Sequence, residues 1–223
     1  MKKLITTILT TLLFTANVFA SSTYNDDINY RTRVIKWYSD YDCVEYTHIV
    51  SIPHDFYNEW KNEKNRPLSS TQYIHYINEI NNRFELKNFA VQMQTMAEER
   101  GLTDYQLVVD ITNFVQSIPY ENDLSSTGQI EYPKYPAETL YDYCGDCEDK
   151  AILLAGILRE CGFDVVWIQL KEHIIVGVAG DLQGTNVVYN GTTYYTLDGT
   201  SPGWKIGQLS SRFTEAYNVI KVE

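Results

Sequence analysis

The chain has 223 residues, of which 44% are hydrophobic and 21% are charged, enough apolar sequence for one well-buried core. Its 29 acidic residues outnumber its 18 lysines and arginines, which gives a formal net charge of -11 at pH 7. A surface of this sign repels a phosphate backbone, so we exclude nucleic acid as a partner.

The first twenty residues have the pattern of a secretory signal peptide. Lys2 and Lys3 form a short cationic start, an apolar run follows over residues 4–14, and small residues precede Ser21. The apolar run is too short to span a bilayer comfortably. We therefore predict that residues 1–20 are removed and that the mature chain is exported, periplasmic or secreted, with no membrane span. An uncleaved anchor is the alternative.

Residues 21–66 are predicted to form an N-terminal extension made of a β-hairpin and a short helix. Aromatic and β-branched residues fill positions 33–38 and 44–52, a polar turn over 39–42 separates them, and Pro53 ends the second run. Residues 54–63 are expected to be helical until Pro67 interrupts the chain. We assign residues 67–223 to the main domain.

Three helices are predicted next in the chain. Residues 70–80 form the first, and Gly101 ends the second at the position of a C-terminal cap. The third begins with a capping box between Thr103 and Gln106. Apolar residues recur at helical spacing along the second helix: Leu86, Phe89, Ala90, Met93, Met96 and Ala97.

Proline, glycine and tyrosine punctuate residues 118–136, which we predict to be a loop. A loop of this length in a compact domain is usually functional or disordered, and its aromatic residues favour a wall of a cleft. The strongest helix follows over residues 147–161. Apolar residues on most of its faces predict that it is buried between layers.

Four strands are predicted after this helix, over residues 165–170, 173–179, 185–189 and 192–197. Asn190-Gly191 between the last two is a strong signal for a two-residue hairpin. Because helices come first and consecutive strands follow, we predict the α+β class with an antiparallel sheet.

The motif Gly145-Asp146-Cys147-Glu148-Asp149 places a cysteine at the first position of the buried helix. Asp146 is suited to cap the helix, and Asp149 to return the hydrogen bond. The helix dipole stabilises a thiolate there by only about 0.3–1 kcal/mol, less than one pKa unit, and Glu148 opposes it. A cationic partner is therefore required.

His173 is the candidate for that partner, since the C-terminal half of the chain has no other histidine. It opens a predicted strand, and Asp198 closes another. A histidine at the start of one strand meets an aspartate at the end of another only if the two strands are antiparallel neighbours. The sequence therefore predicts that these two strands are adjacent.

Several motifs between residues 105 and 210 resemble those of the transglutaminase-like superfamily, with the greatest similarity to its bacterial and archaeal transglutaminase-like cysteine proteinases. They include the motif around Cys147, His173 in its strand, and the downstream Asp198. The other segments that carry the resemblance are Phe114-Val115-Gln116, Tyr120, Tyr135-Pro136, Glu138-Thr139-Leu140, Ala151-Ile152-Leu153-Leu154, Gly177-Val178, Tyr194-Tyr195 and Thr200-Ser201-Pro202-Gly203-Trp204.

The resemblance implies a papain-like core with a triad of Cys147, His173 and Asp198. The implied activity is hydrolysis of amide or peptide bonds through a cysteinyl thioester. The backbone N–H of Cys147 is the expected oxyanion donor, with Gln116 as a second donor. Tyr120 and Trp204 are expected at the substrate, although Trp204 could equally be a packed core residue.

We expect a monomer that acts on a protein or peptide without a metal or other cofactor. Transamidation of protein glutamine and an inactive binding module remain the alternatives to hydrolysis.

The remaining cysteines leave other interpretations open. Cys144 makes a C-x-x-C motif with Cys147, but a thiol–disulfide oxidoreductase would need a β-strand before it, and a tyrosine- and proline-rich loop precedes it instead. A disulfide between Cys43 and Cys144 is possible in an oxidising compartment. A zinc site is excluded, because Cys161 would lie about 21 Å along the helix from Cys147.

Overall fold

The computed structural model of the protein describes residues 29–211 and 216–223. The predicted signal peptide lies outside the described residues. Within them, no helix is both long enough and apolar enough to cross a membrane.

The N-terminal hairpin is confirmed. Strands β1 (Tyr30–Tyr38) and β2 (Glu45–Pro53) pair antiparallel along their whole length, and helix α1 (His54–Lys61) follows. One face of the hairpin is buried, and the indole of Trp37 packs edge-on against Phe114 with 5.4 Å between ring centroids. Both residues belong to one hydrophobic core that extends through the rest of the chain.

The helical region contains a turn that the sequence did not predict. A single helix over residues 70–80 was wrong: a 3₁₀ turn (Ser70–Gln72) and helix α2 (Ile74–Asn78) end before Glu79, and helix α3 (Ile80–Arg100) begins after it. The carboxylate of Glu79 accepts hydrogen bonds from the backbone N–H groups of Asn81 and Asn82. Glu79 therefore caps the start of α3 and separates it from α2.

The predicted ends of the next two elements are confirmed. Gly101 ends α3 with a left-handed φ of 65°, a conformation that favours glycine. Helix α4 (Asp104–Ser117) begins with the capping box between Thr103 and Gln106.

Two short helices occupy the segment before the buried helix. The predicted loop over residues 118–136 contains helix α5 (Asp123–Thr127), and helix α6 (Pro136–Asp142) follows it. Pro136 stands at the first turn of α6, where proline needs no hydrogen-bond donor. Helices this short give no periodic apolar signal, so the sequence did not indicate them.

The C-terminal half forms an antiparallel sheet, which confirms the α+β class. Its strands lie in the order β5-β6-β4-β3-β7. Their bounds are β3 (Val165–Leu170), β4 (His173–Ala179), β5 (Asn186–Tyr189), β6 (Thr192–Leu197) and β7 (Ala216–Lys221). Residues Asn190 and Gly191, both with positive φ, form the predicted tight hairpin turn. Strand β7 was not predicted.

Helix α7 (Cys147–Glu160) is buried between the sheet and the other helices, as its apolar pattern predicted. The indole N–H of Trp167 on β3 donates to the carbonyl of Ala151 at 3.2 Å and fixes the helix on the sheet. On the opposite side, Gly156 admits Leu86, since an added Cβ would come within 2.8 Å of the leucine side chain. The first residue of α7 is therefore held in a fixed place.

Candidate active site

A cavity of about 600 Å³ opens at the N-terminus of α7. It brings together Cys147 and His173, which the sequence assigned to the same site. The lining comes from three parts of the chain, residues 68–73, 122–131 and the β3–β4 turn, in addition to the start of α7. The lining residues are Leu68, Ser70, Tyr73, Asn122, Asp123, Leu124, Ile130, Glu131, Asp146, Cys147, Glu148, Gln169, Leu170, Glu172, His173 and Ile174.

Cys147 is the first residue of α7, and its side chain is partly buried. Its Sγ atom donates to Oε2 of Glu148 at 3.1 Å, and the backbone N–H of Ile174 donates to the sulfur. Burial raises the pKa of the thiol well above its ordinary value, the Glu148 carboxylate raises it further, and the Ile174 contact opposes both. The resting group is therefore a thiol, and a cation is needed to form the thiolate.

His173 and Asp198 are in contact. Nε2 of the imidazole lies 3.1 Å from Oδ2 of the carboxylate, and the two side chains are only 8% and 3% exposed. Strands β4 and β6 are antiparallel neighbours, with Val176 opposite Leu197. This is the strand arrangement that the sequence predicted from the two residues.

Asp198 is held by the backbone that follows it. Its second oxygen, Oδ1, accepts from the N–H of Thr200 at 2.9 Å and from the hydroxyl of Thr200 at 2.5 Å. Burial alone would raise the pKa of this carboxyl, but the hydrogen bonds from His173 and Thr200 lower it below its ordinary value. The group is therefore ionised at neutral pH and can orient the imidazole.

Gln116 lies behind this loop and does not line the cavity. Its side chain is 2% exposed, and Nε2 donates to the carbonyl oxygens of Asp198 and Trp204, both at 2.8 Å. Both amide hydrogens are thus used, so the predicted role as an oxyanion donor does not fit this geometry. The side chain instead ties the two ends of the loop that carries Asp198.

The other two expected substrate contacts also lie outside the cavity lining. Trp204 lines a separate pocket of about 220 Å³ together with Tyr41 and Tyr105. Tyr120 is 54% exposed and pairs through its backbone with Gly145. Partial burial and then the nearby Cys147 raise the pKa of Tyr120 to about 12, so its hydroxyl is protonated at neutral pH.

Lys150 is a part of the site that the sequence analysis missed. It is completely buried, and Nζ donates to the carbonyl oxygens of Ile118 at 2.6 Å and Thr200 at 2.8 Å. Burial lowers its pKa to about 8, and the charge of Asp198 opposes this shift. The available signal was a lysine placed one turn after Cys147, directly before the apolar stretch over residues 151–158.

Asp149 forms a buried ion pair with Lys134 at 3.1 Å, and both side chains are fully buried. Its carboxylate also accepts from the backbone N–H groups of Lys134 at 2.7 Å and Asp146 at 3.4 Å. The hydrogen bond from the N–H of Asp146 agrees with the predicted role of Asp149 as a cap at the helix start. Asp146 occupies the predicted N-cap position and forms the capping box with Asp149.

Five carboxyl groups cluster at and near the start of α7, and two of them, Asp146 and Glu148, lie next to Cys147. Asp123 and Asp146 are 2% and 8% exposed, and one oxygen of each has no hydrogen-bond partner in the described ranges. Burial and then the charge of Glu148 raise the pKa of Asp146 to about 8. These groups form three sets with ligand atoms within 4.8 Å of one another, and such a set could hold a cation. Among the described residues the sets are Asp146, Cys147 and Glu148; Asp123, Asp146 and Asp149; and Asp123, Glu131 and Glu148.

All four cysteines are free thiols, so the structure contains no disulfide between Cys43 and Cys144. Burial raises the pKa of Cys144 to about 11, even though Lys134 lies nearby. Helix α6, rather than a strand, precedes the C-x-x-C motif. Neither feature is typical of a thiol–disulfide oxidoreductase.

The fold and the site thus define an α+β protein in which a cysteine at a helix start shares a cavity with a histidine–aspartate pair. Comparison with models of known protein families gives no match to this chain, and no curated protein matches it.

Proposed function

We propose that this protein is a thiol-dependent amide or peptide hydrolase built on a papain-like core of the transglutaminase-like type. The observation that carries the proposal is the 3.1 Å contact between His173 and Asp198, with Cys147 on the same cavity. A nucleophile, a base and a group that orients the base are the three parts that this chemistry needs.

In the first half of the reaction, the thiol of Cys147 gives its proton to Nδ1 of His173, since Nε2 faces Asp198. The sulfur attacks the carbonyl carbon of the substrate and forms an S–C bond. The imidazolium then returns the proton to the leaving nitrogen as the C–N bond breaks. The products are a free amine and a Cys147 thioester.

In the second half, His173 removes a proton from water, which attacks the thioester. The C–S bond breaks, a carboxylic acid leaves, and the thiol is restored. The oxyanion in both steps would accept from the backbone N–H of Cys147, an orphan donor at the start of α7.

The charges around Cys147 explain why this scheme requires the imidazole of His173. Glu148 lies 3.1 Å from the sulfur and disfavours a thiolate, whereas an imidazolium stabilised by Asp198 favours it. A base that is fixed by an ionised carboxylate is therefore required for any reactivity of Cys147. The predicted export of the chain is part of the proposal, since it sets where the substrate would be met.

Trapping of the thioester tests the proposal. The purified protein is mixed with a peptide-amide library, quenched in acid and digested, and the Cys147 peptide is analysed by mass spectrometry. We expect an acyl adduct in the wild type and none in Cys147→Ala or His173→Ala. Release by water gives an acid, and release by added lysine gives an amide, so the products separate hydrolysis from transamidation. Absence of any adduct in the wild type contradicts the proposal.

A further inference from the structure

Three large aliphatic side chains around the Cys147 cavity are exposed to solvent. Leu68 is 57% exposed, Leu124 is 63% exposed and Ile130 is 84% exposed, and all three line the cavity that contains Cys147. Single exposed aliphatic residues are common on protein surfaces, whereas a group of them around a cleft marks an interaction site. We call Leu68, Leu124 and Ile130 the aliphatic rim.

The aliphatic rim stands on segments that are held by hydrogen bonds. Next to Leu124, the buried Asp123 accepts the N–H of Tyr132 at 2.5 Å, which closes the segment that carries Ile130. Near Leu68, the hydroxyl of Ser70 donates to the side chain of Gln169 on β3 at 2.7 Å. Their exposure is therefore a property of an ordered surface, and a partner would find the rim already formed.

The residues that line the cavity limit the kinds of partner that could bind there. Apolar groups continue inward from the rim through Tyr73, Leu170 and Ile174, and the last of these contacts the sulfur of Cys147 through its backbone. The polar lining is mostly acidic, and of the described lining residues only His173 can carry a positive charge. Anionic lipid headgroups and acidic peptides are thus disfavoured.

We propose that the aliphatic rim binds aliphatic side chains of a polypeptide substrate on either side of the bond that Cys147 attacks. An extended segment points alternate side chains to one side at a spacing of about 7 Å, which suits a rim spread around one cavity. This inference rests on the proposed function, because it names the substrate class of the same site. Small amides lack these contacts and are poorer substrates.

The test measures binding separately from catalysis. Two randomised decapeptide pools are prepared, one with Leu, Ile or Val at alternate positions and one with Ser, Thr or Asn there. Each pool is added at equal concentration while iodoacetamide labels Cys147, and the labelling rate is followed by mass spectrometry. The variants are Leu124→Ser and Ile130→Ser. The matched control is Ile49→Ser, because Ile49 is 54% exposed and lines a different groove, against α3.

We expect the aliphatic pool to slow labelling of the wild type about tenfold more than the polar pool, since docking removes part of each rim side chain from water. The difference falls to about twofold in each rim variant and is unchanged in Ile49→Ser. Equal protection by the two pools, or full protection in the rim variants, overturns the inference. If protection is selective but no thioester ever forms, the inference about the aliphatic rim is supported and the proposed hydrolase activity is contradicted.

Discussion

The imidazole Nε2 of His173 lies 3.1 Å from Oδ2 of Asp198, and further hydrogen bonds hold Asp198 in place. The other carboxylate oxygen is occupied by Thr200, and the carbonyl of Asp198 is occupied by Gln116. Because the carboxylate is fixed at three points, it can hold one tautomer and one ring orientation of the histidine. The contact between the two residues is therefore the part of the site most open to test.

Replacement Asp198→Asn keeps the size of the side chain but removes its charge. We expect kcat on a cleavable peptide to fall by about 10²–10⁴ with little change in KM, because the imidazolium loses its stabilising partner and the tautomer is no longer fixed. Steady-state kinetics check this, with far-ultraviolet circular dichroism to verify folding. A folded variant with unchanged kcat removes Asp198 from the mechanism.

The reactivity of Cys147 depends on two neighbours of opposite effect. At pH 6 we expect iodoacetamide to label Cys147 at least tenfold faster than the exposed Cys43, which serves as an internal standard. His173→Ala should abolish the preference. Glu148→Gln should increase it, because it removes the carboxylate 3.1 Å from the sulfur and so lowers the pKa of the thiol. Equal rates at Cys43 and Cys147 in the wild type mean that the thiol is not activated.

The positions of Cys147, His173 and Asp198 could be predicted from the sequence because each lies at the end of a regular element. Cys147 begins a helix with strong apolar periodicity, and His173 begins a strand. The pairing with Asp198 then follows from antiparallel geometry, because a histidine that begins one strand meets an aspartate that follows another only if the two strands are neighbours, which leaves β5 at the edge of the sheet. Residues at such positions are placed by backbone geometry that a sequence pattern can indicate.

The supporting residues could not be found in the same way, since their roles depend on contacts between distant segments. Gln116 was assigned to the oxyanion because it lies in a motif, yet it donates to carbonyls of the loop after β6. Lys150 reads as an ordinary helix residue until its ammonium is found on the carbonyl of Thr200. The periodicity of apolar residues in a sequence does not indicate which distant backbone carbonyl a polar side chain will bind.

The two interpretations of Gln116 make different predictions for Gln116→Leu. Gln116 ties the Asp198 loop, so its loss leaves one buried and one partly buried carbonyl without these donors. We therefore expect the free energy of unfolding to fall by about 2–4 kcal/mol. Urea denaturation measures this. An oxyanion donor would instead cost about 10²–10³ in kcat with stability nearly unchanged. That second pattern would restore the role that the sequence suggested.

The buried carboxyl group of Asp146 predicts a stability that falls as the pH rises. Its pKa is about 8 in the folded protein, against an ordinary value of 3.8 for an aspartate in the unfolded chain. Between these pH values the folded state holds a proton that the unfolded state has lost. We expect Asp146→Asn to be more stable than the wild type by about 1–3 kcal/mol at pH 8 and equal to it at pH 4. Urea denaturation in chelator-containing buffer checks this; a constant difference across the range contradicts the assignment.

Lys150 predicts the opposite slope at higher pH. Its pKa is about 8 when folded against an ordinary value of 10.5, so between these values the unfolded state binds more protons and the free energy of unfolding of the wild type rises with pH. In Lys150→Met this contribution is absent. Between pH 8 and pH 10, the free energy of unfolding of the wild type should therefore rise by about 2–3 kcal/mol relative to that of the variant.

The loss of the two hydrogen bonds from Lys150 lowers the stability of the variant equally at every pH, so only the slope reports on the buried charge. Lys36→Met is the matched control, because Lys36 is exposed and its side chain pairs with Glu45 in water. Its stability difference from the wild type should not change over the same range. If the free energy of unfolding of Lys150→Met also differs from that of the wild type by the same amount at every pH, the ammonium of Lys150 is not held in a buried site. The proposed link that it makes between α7 and the Asp198 loop is then contradicted as well.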